Sequence, residues 1–411
     1  MRTLLFLSQV YVPDPASVGQ HMADAAEAMA RRGWRVVVFT SRSGYDDPRQ
    51  EYPTSETLRG VEIRRFRWCS GGKRSLAARV IGQLFFVAQS AFWGLFVSGL
   101  RGLVFTTIPQ ISALAVLPIH WLRGCPLFLW VMDLNPDQAV ASGHFSSDSW
   151  MVRALDALNR IVLRRAATVV ALDRFMAERL ALKAPIRGRV RVLPPWPHED
   201  SLAPVEKPDN PFVARHGLHD KFVFMYSGNH SLAHPIETFL DAARELRTEP
   251  TLMFVFVGGG LRKREVDRLV QNERLPNVLS LPYQPLDAIR FSLSAADVHL
   301  VSMGDAMVGC VHPCKIYGAM ALGKPLLLLG PERCHAAEII STYRIGKRVG
   351  HGDRSGMVLA LRTLAATDSK ELRAMGERSA RAIRDEFSLL RLRQAFCDEV
   401  DMAFADSSRP A

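Results

Sequence analysis

The feature that most constrains this chain is a change of hydrophobic period that recurs along it: a short apolar run, a loop, a helical pattern, then another apolar run. The opening residues complete the cycle once. Thr3 to Ser8 read as a strand, a loop runs to Gly19, and Met22, Ala25, Ala26, Met29 and Ala30 fall on one face of a helix. Gly33 breaks that pattern, and Arg35 to Thr40 read as the next strand. Further strands are expected at Val61 to Phe66, Leu103 to Thr106, Leu127 to Met132, Thr168 to Leu172 and Val190 to Leu193. Such alternation implies a parallel sheet with helices on both faces, hence an α/β fold.

Past Pro194-Pro195-Trp196-Pro197 the composition turns polar until about Asp220, which reads as a linker, and then the alternation restarts. Strands are expected at Phe222 to Ser227, Leu252 to Val257, Val278 to Leu281, Val298 to Ser302 and Pro325 to Leu329. A chain of 411 residues exceeds what one hydrophobic core usually supports. The reading is therefore two Rossmann-like domains, residues 1–196 and 197–385, facing a central cleft. Residues 386–411 contribute a last helix, around Leu389 to Ala405, that crosses back to the first domain.

Fifty-two Lys and Arg against 41 Asp and Glu favour anionic partners: nucleotide phosphates, an acidic lipid surface or nucleic acid. No basic stripe interleaved with aromatics supports nucleic acid. The six cysteines form no disulfide-dense framework, and the first apolar run is too short for a signal peptide, so a reduced, cytoplasmic setting fits. Val80 to Leu100 lacks charge and is long enough for a membrane span, but crossing there would put strands of one sheet on opposite sides of the bilayer. The preferred reading is an interfacial helix anchored by Phe85, Phe86, Trp93 and Phe96, with Lys73, Arg74 and Arg79 toward anionic headgroups at the inner face of the cell membrane. A wholly buried helix is the other reading.

In doubly wound folds ligands lie at the carboxyl ends of strands, so the loops after strands carry the chemistry. In Tyr226-Ser227-Gly228-Asn229-His230 a strand ends on a glycine, and exposed amides ahead of a helix suit a diphosphate. A helix expected to begin near Cys314 adds the charge of Lys315, a counter-ion for a leaving diphosphate without a metal. Asp133, at the end of an apolar strand, reads equally as an acid that orients an acceptor hydroxyl and as a helix N-cap. Gly19 would let backbone approach donor phosphates. Cys310, His312, Cys314, Cys334 and His335 lack a metal-site spacing and read as core. Gly258-Gly259-Gly260 lacks the further glycine of a redox dinucleotide motif, and the basic run Arg262-Lys263-Arg264 reads as a solvated helix face.

Several segments together resemble glycosyltransferase family 4, notably its bacterial O-antigen and colanic-acid-type branch with the N-acetylfucosamine transferases. They are the proline-rich opening loop with Gly19, Met132-Asp133-Leu134-Asn135-Pro136-Asp137, Tyr226-Ser227-Gly228-Asn229 with His234, Leu281-Pro282-Tyr283-Gln284-Pro285, Ala295-Ala296-Asp297, and Pro313-Cys314-Lys315-Ile316-Tyr317-Gly318. The resemblance implies a GT-B fold and a retaining, metal-independent transfer from a nucleotide-diphosphate sugar to a lipid-linked or saccharide acceptor, with no cofactor. It places the base near Leu281 and Tyr283, and the diphosphate near Gly228, Asn229, His230 and Lys315. Tyr317 and Glu338 also fall in the donor site, and Asp133 lies on the acceptor side. The family's usual pair of glutamates would fall at Cys310 and Gly318, leaving Asp305 and Glu338 as the nearest acids. That departure keeps a catalytically inactive assembly partner in view, and the two-domain shape alone keeps a nucleotide-sugar epimerase.

Overall fold

A computed structural model describes residues 2–14, 16–44, 49–69, 76–198 and 203–405. The chain divides into two compact units, Met1–Pro195 with Leu390–Ala411, and Trp196–Leu389. The expected contacts of Lys73 and Arg74, like Pro15 of the opening loop, lie outside the described residues.

The first unit runs β1 (Thr3–Leu7), α1 (Ser17–Arg31), β2 (Arg35–Ser41), β3 (Ser55–Leu58), β4 (Val61–Phe66), α2 (Leu76–Gly94), β5 (Leu100–Thr106), α3 (Ala113–Arg123), β6 (Leu127–Trp130), α4 (Asp137–Ala141), α5 (Trp150–Arg165), β7 (Thr168–Ala171), α6 (Arg174–Lys183) and β8 (Val190–Val192). Its eight strands lie in the order β3-β4-β2-β1-β5-β6-β7-β8. Neighbours are parallel except β3, which runs antiparallel to β4. Every residue of β1 is buried, as a strand covered on both faces requires. On α1 the predicted stripe holds, with Met22, Ala25, Ala26 and Met29 fully buried.

The last helix, α15 (Leu389–Ala405), covers one face of this sheet. Its Phe396 lies 5.3 Å from Phe128 and 4.2 Å from Trp130 between ring centroids. Gly102 makes room for the Phe404 ring, which a Cβ there would overlap. Asp401 accepts from Arg32 at 2.8 Å and from the Trp34 indole at 2.7 Å, and Glu399 pairs with Arg191 at 2.9 Å.

The second unit runs α7 (Pro211–His216), β9 (Phe222–Ser227), α8 (Glu237–Glu245), β10 (Leu252–Val257), α9 (Lys263–Glu273), β11 (Val278–Leu281), α10 (Ile289–Ser294), β12 (Val298–Ser302), α11 (Lys315–Ala321), β13 (Leu326–Leu329), α12 (His335–Tyr343), β14 (Gly346–Val349), α13 (Arg354–Ala365) and α14 (Ser369–Ala382). Its all-parallel sheet has the order β11-β10-β9-β12-β13-β14.

The structure departs from the sequence reading in three places. The expected linker is shorter, because Lys207 pairs with Asp297, Asn210 caps α7, and Phe212 and Val213 are buried in the second unit's core. Two strands were not foreseen. The solvent-edged β3 reads Ser-Glu-Thr-Leu and β14 reads Gly-Lys-Arg-Val, too polar to stand out as apolar runs. Finally, Phe86 is not an interfacial anchor: its side of α2 faces the sheet, so it is fully buried, 6.2 Å from Phe66.

Candidate active site

In the second unit the loops after all six strands leave the carboxyl edge of one parallel sheet. Two of them interlock through glycines. Gly228, Gly258 and Gly260 have φ of 118°, 128° and 119°, a region that disfavours any side chain. A Cβ on Gly258 would overlap the Gly228 carbonyl oxygen, and one on Gly260 would overlap the Asn229 side-chain oxygen. The His230 amide donates to Gly259 O at 2.7 Å, binding the two turns together. The amides of Asn229 and Ser231 donate to no acceptor among the described residues.

Lys315, the first residue of α11, lies across this double turn. Its Nζ donates to the Asn229 carbonyl at 2.6 Å and to the Tyr226 hydroxyl, and sits 4.0 Å from the Tyr226 ring centroid. A Cβ on Gly228 would come within 3.1 Å of the Lys315 Cε, so the glycine also makes room for the lysine stem. Burial pushes the ammonium down to about 7, since neither neighbour carries a formal negative charge. An anion brought to this ammonium and the two unpaired amides would reverse that penalty. Helix α11 has only seven residues, so the lysine rather than the helix end supplies most of the field.

Tyr283, 58% exposed, follows β11, and its Cε2 would be 2.9 Å from a Cβ on Gly259, so its ring lies against the glycine turn. The Leu281 carbonyl accepts from the Gly258 amide at 3.0 Å. Glu338 sits in the first turn of α12, after β13. Leu281, Tyr283, Gly228, Asn229, Lys315 and Glu338 thus share one sheet edge.

Two expectations need correction. His230 is fully buried: its ring packs 4.5 Å from that of Tyr226, Nδ1 donates to Gly228 O at 3.0 Å, and Nε2 has no hydrogen-bond partner among the described residues. Its role is to brace the glycine turn. Burial, with Lys315 nearby, depresses it to about 4, so it is neutral at ordinary pH. Lys263, read as part of a solvated face, is instead a buried tie whose ammonium donates to Phe256 O at 3.1 Å and to Ser280. Tyr317 is likewise only 1% exposed, with its hydroxyl held by two imidazoles, so any part it takes in the site is indirect. Among the described residues no His, Cys, Asp or Glu cluster could hold a metal ion.

In the first unit Gly19 lies so close to Tyr11 that a Cβ would be 3.1 Å from its Cα, fixing the opening loop on α1. Arg65, unremarked in the sequence, supports that loop: its buried guanidinium donates to Val12 O at 2.9 Å and pairs with Glu56 at 2.6 Å. Its signal was only its place in β4, where alternation puts Arg65 on the opposite side from its exposed neighbour Arg64. Asp133 follows β6 and is no helix cap, since α4 begins after Pro136. Its amide donates to the Thr107 hydroxyl at 3.2 Å, and burial raises its carboxyl to about 6.

The first unit also exposes large apolar side chains. Four of the seven tryptophans, Trp68, Trp93, Trp121 and Trp150, are 46–80% exposed, and all belong to this unit. Phe85, Phe92 and Phe96 on and after α2, and Leu114 and Leu122 on α3, are exposed as well. Phe92 and Phe96 lie 5.2 Å apart, and Trp68 lies 6.0 Å from Phe85. Charge is partitioned in the same sense: the first unit has 28 Lys and Arg against 18 Asp and Glu, the second 24 against 23. Among the described residues no helix is long and apolar enough to cross a membrane.

Comparison with known proteins bears on the unit that carries Asp133 and Gly19. Residues 17–196 match the glycosyl transferase 4-like domain. The match lies almost wholly within the first unit. The chain is 28% identical over 237 residues to WbjE of Pseudomonas aeruginosa, named a probable glycosyltransferase, covering 57% of this chain and 59% of WbjE. It is 29% identical over 124 residues to WcaI of Escherichia coli (strain K12), whose name assigns it to colanic acid biosynthesis, covering 30% of each. The aligned stretches therefore span less than two thirds of either relative. Among solved structures, sucrose-phosphate synthase from Thermosynechococcus elongatus superposes with a TM-score of 0.76 at 18% identity, over 98% of this chain and 100% of that one. HepE of Anabaena in complex with UDP-glucose gives 0.71 at 16% identity, over the same shares. The fold is GT-B.

Proposed function

We propose that this protein is a retaining, metal-independent glycosyltransferase. It transfers a sugar from a nucleoside-diphosphate donor, held by the second unit, to a lipid-linked or saccharide acceptor at the first. The carrying observation is Lys315 lying on the Gly228–Asn229 turn with unpaired amides beside it. One cation and preorganised amides are what a departing diphosphate needs, because charge grows on its oxygens as the glycosidic bond breaks. The exposed Tyr283 ring offers a stacking surface for the base at the adjacent strand end. Asp133, raised toward neutral pH, suits orienting or deprotonating an acceptor hydroxyl.

The exposed tryptophans and the positive charge of the first unit support this acceptor class and place. Indole rings and arginines fit the headgroup layer of an anionic membrane, where the aromatic ring is half dehydrated and the cation stays wet. On this reading the protein sits peripherally on the inner face of the cell membrane and serves surface-polysaccharide assembly, and the likeness to WcaI, whose name refers to colanic acid biosynthesis, supports that pathway. A second reading, an inactive relative, rests on buried Cys310 and Gly318 standing where the wider family has glutamates.

Titration with UDP, GDP, ADP and dTDP, each with EDTA, separates these readings. Micromolar binding that Lys315→Ala weakens at least tenfold, with slow hydrolysis of a sugar conjugate, supports the transferase. Binding without any hydrolysis or transfer supports the inactive relative. No binding by the intact protein refutes both.

A further inference from the structure

The helices carrying Lys315 and Glu338 are short on local support. Neither α11 nor α12 has a side chain capping its first turn. What joins them is a hydroxyl. Tyr317 Oη lies 2.9 Å from His312 Nε2, just before α11, and 2.9 Å from His335 Nε2, the first residue of α12. The two imidazole centroids are 4.8 Å apart, and Phe387 backs the tyrosine ring at 5.5 Å. Tyr317 and His312 are buried, so bulk water offers no easy replacement for these bonds.

The arrangement also has a direction. A phenol hydroxyl carries one proton, so it donates to one imidazole and accepts from the other. With both rings neutral, one histidine therefore holds its proton on Nε2 and the other on Nδ1.

The order of strands says what this bridge serves. Tyr283 follows β11, the glycine turns follow β10 and β9, Lys315 follows β12, and His335 with Glu338 follow β13. A donor whose base rests on Tyr283 and whose diphosphate meets Lys315 has its sugar directed toward the first turn of α12. There His335 and Glu338 are three residues apart and share a helix face.

We infer that the His312–Tyr317–His335 chain is a positioning element for the donor sugar, fixing the first turn of α12 against that of α11. The inference rests on the transferase reading above. Lys315 has its own anchors in Tyr226 and Asn229, so loss of the bridge should spare diphosphate binding and disturb only what the sugar adds.

The test uses the full chain, with UDP, GDP, ADP and dTDP and their glucose conjugates. Tyr317→Phe, which deletes one oxygen and keeps the ring, should change the affinity of the bound nucleoside diphosphate less than threefold. It should lower the conjugate's turnover at least tenfold. His335→Gln should have a similar effect, and the double variant should be no worse than either single one, since one chain is broken in all three. Nitrogen-15 spectra at pH 8, assigned by substitution, should show opposite tautomers for His312 and His335 in the intact protein and lose that relation in Tyr317→Phe. Identical tautomers, additive losses, or a Tyr317→Phe variant with unchanged turnover overturns the inference while leaving the transferase reading intact. If the unaltered protein binds no nucleoside diphosphate, both fall together. Because Tyr317→Phe, and not a small residue, is used, a fall in diphosphate affinity equal to the fall in turnover would mark general misfolding of the site and also overturn it.

Discussion

Raising the pH from 7 to 9 should weaken diphosphate binding up to about 50-fold. In the free protein Lys315 loses its proton near pH 7, because burial beside a phenol and a carbonyl disfavours the ammonium. A bound diphosphate would favour the ammonium and restore a value near the ordinary one of about 10.4. The bound state then holds more protons than the free state across that window. Affinity is therefore full below pH 7 and falls roughly tenfold per unit as pH rises through the free value. Between pH 7 and 9 the free lysine goes from half to about one hundredth protonated, a loss of about 2.3 kcal/mol at about 1.36 kcal/mol per tenfold. Partial exposure of the side chain screens the effect, which makes this an upper figure. His230 and His234, depressed to about 4 and about 3 by burial and by Lys315, stay neutral throughout and add nothing. Calorimetry of UDP binding at pH 8 in two buffers with different ionisation heats should register uptake of about 0.9 proton per site. Lys315→Arg, which cannot titrate in this range, should abolish the uptake and flatten the profile. No proton uptake by the unaltered protein at pH 8 would refute the assignment of Lys315 to the diphosphate.

Three other outcomes are expected. Gly258→Ala, placing a Cβ on the Gly228 carbonyl at a φ of 128°, should cost about 1–3 kcal/mol and lower the melting temperature by several degrees, with diphosphate affinity falling too. Asp133→Asn should reduce transfer at least a hundredfold with donor affinity unchanged, and a loss of affinity instead would move Asp133 off the acceptor side. Vesicles containing phosphatidylserine should sediment the protein and shift its tryptophan emission to the blue, while Trp93→Ser with Phe96→Ser should weaken this more than tenfold. Equal binding to vesicles by that variant would remove the α2 face from the interface.

The order of elements was legible because buried parallel strands must be largely apolar: β9, β10 and β12 begin and end where their apolar runs do. Edge strands obey no such demand, and of the four edges β8 and β11 kept enough apolar residues to be read while the polar β3 and β14 did not. Lys315 and the Gly228 turn were legible from a lysine at a helix start and a glycine at a strand end. His230 and Lys263 were misplaced for the opposite reason. A polar residue in a loop or on a helix is normally solvated, and only tertiary packing turns one into a brace for a glycine turn and the other into a tie beneath a sheet edge. The hydroxyl bridge at Tyr317 joins His312, five residues before it, to His335 of a separate helix, which no local spacing reveals.

The aromatic cap that α15 lays over Phe128 and Trp130 carries a cost in time. Translation reaches Phe396 some two hundred residues after the sheet it shields is complete. At about 5–20 residues per second the nascent lobe waits on the order of 10–40 s with that greasy flank bare. Growth conditions that slow the ribosome, or fragments cut before Leu389, should therefore bring chaperone dependence or aggregation.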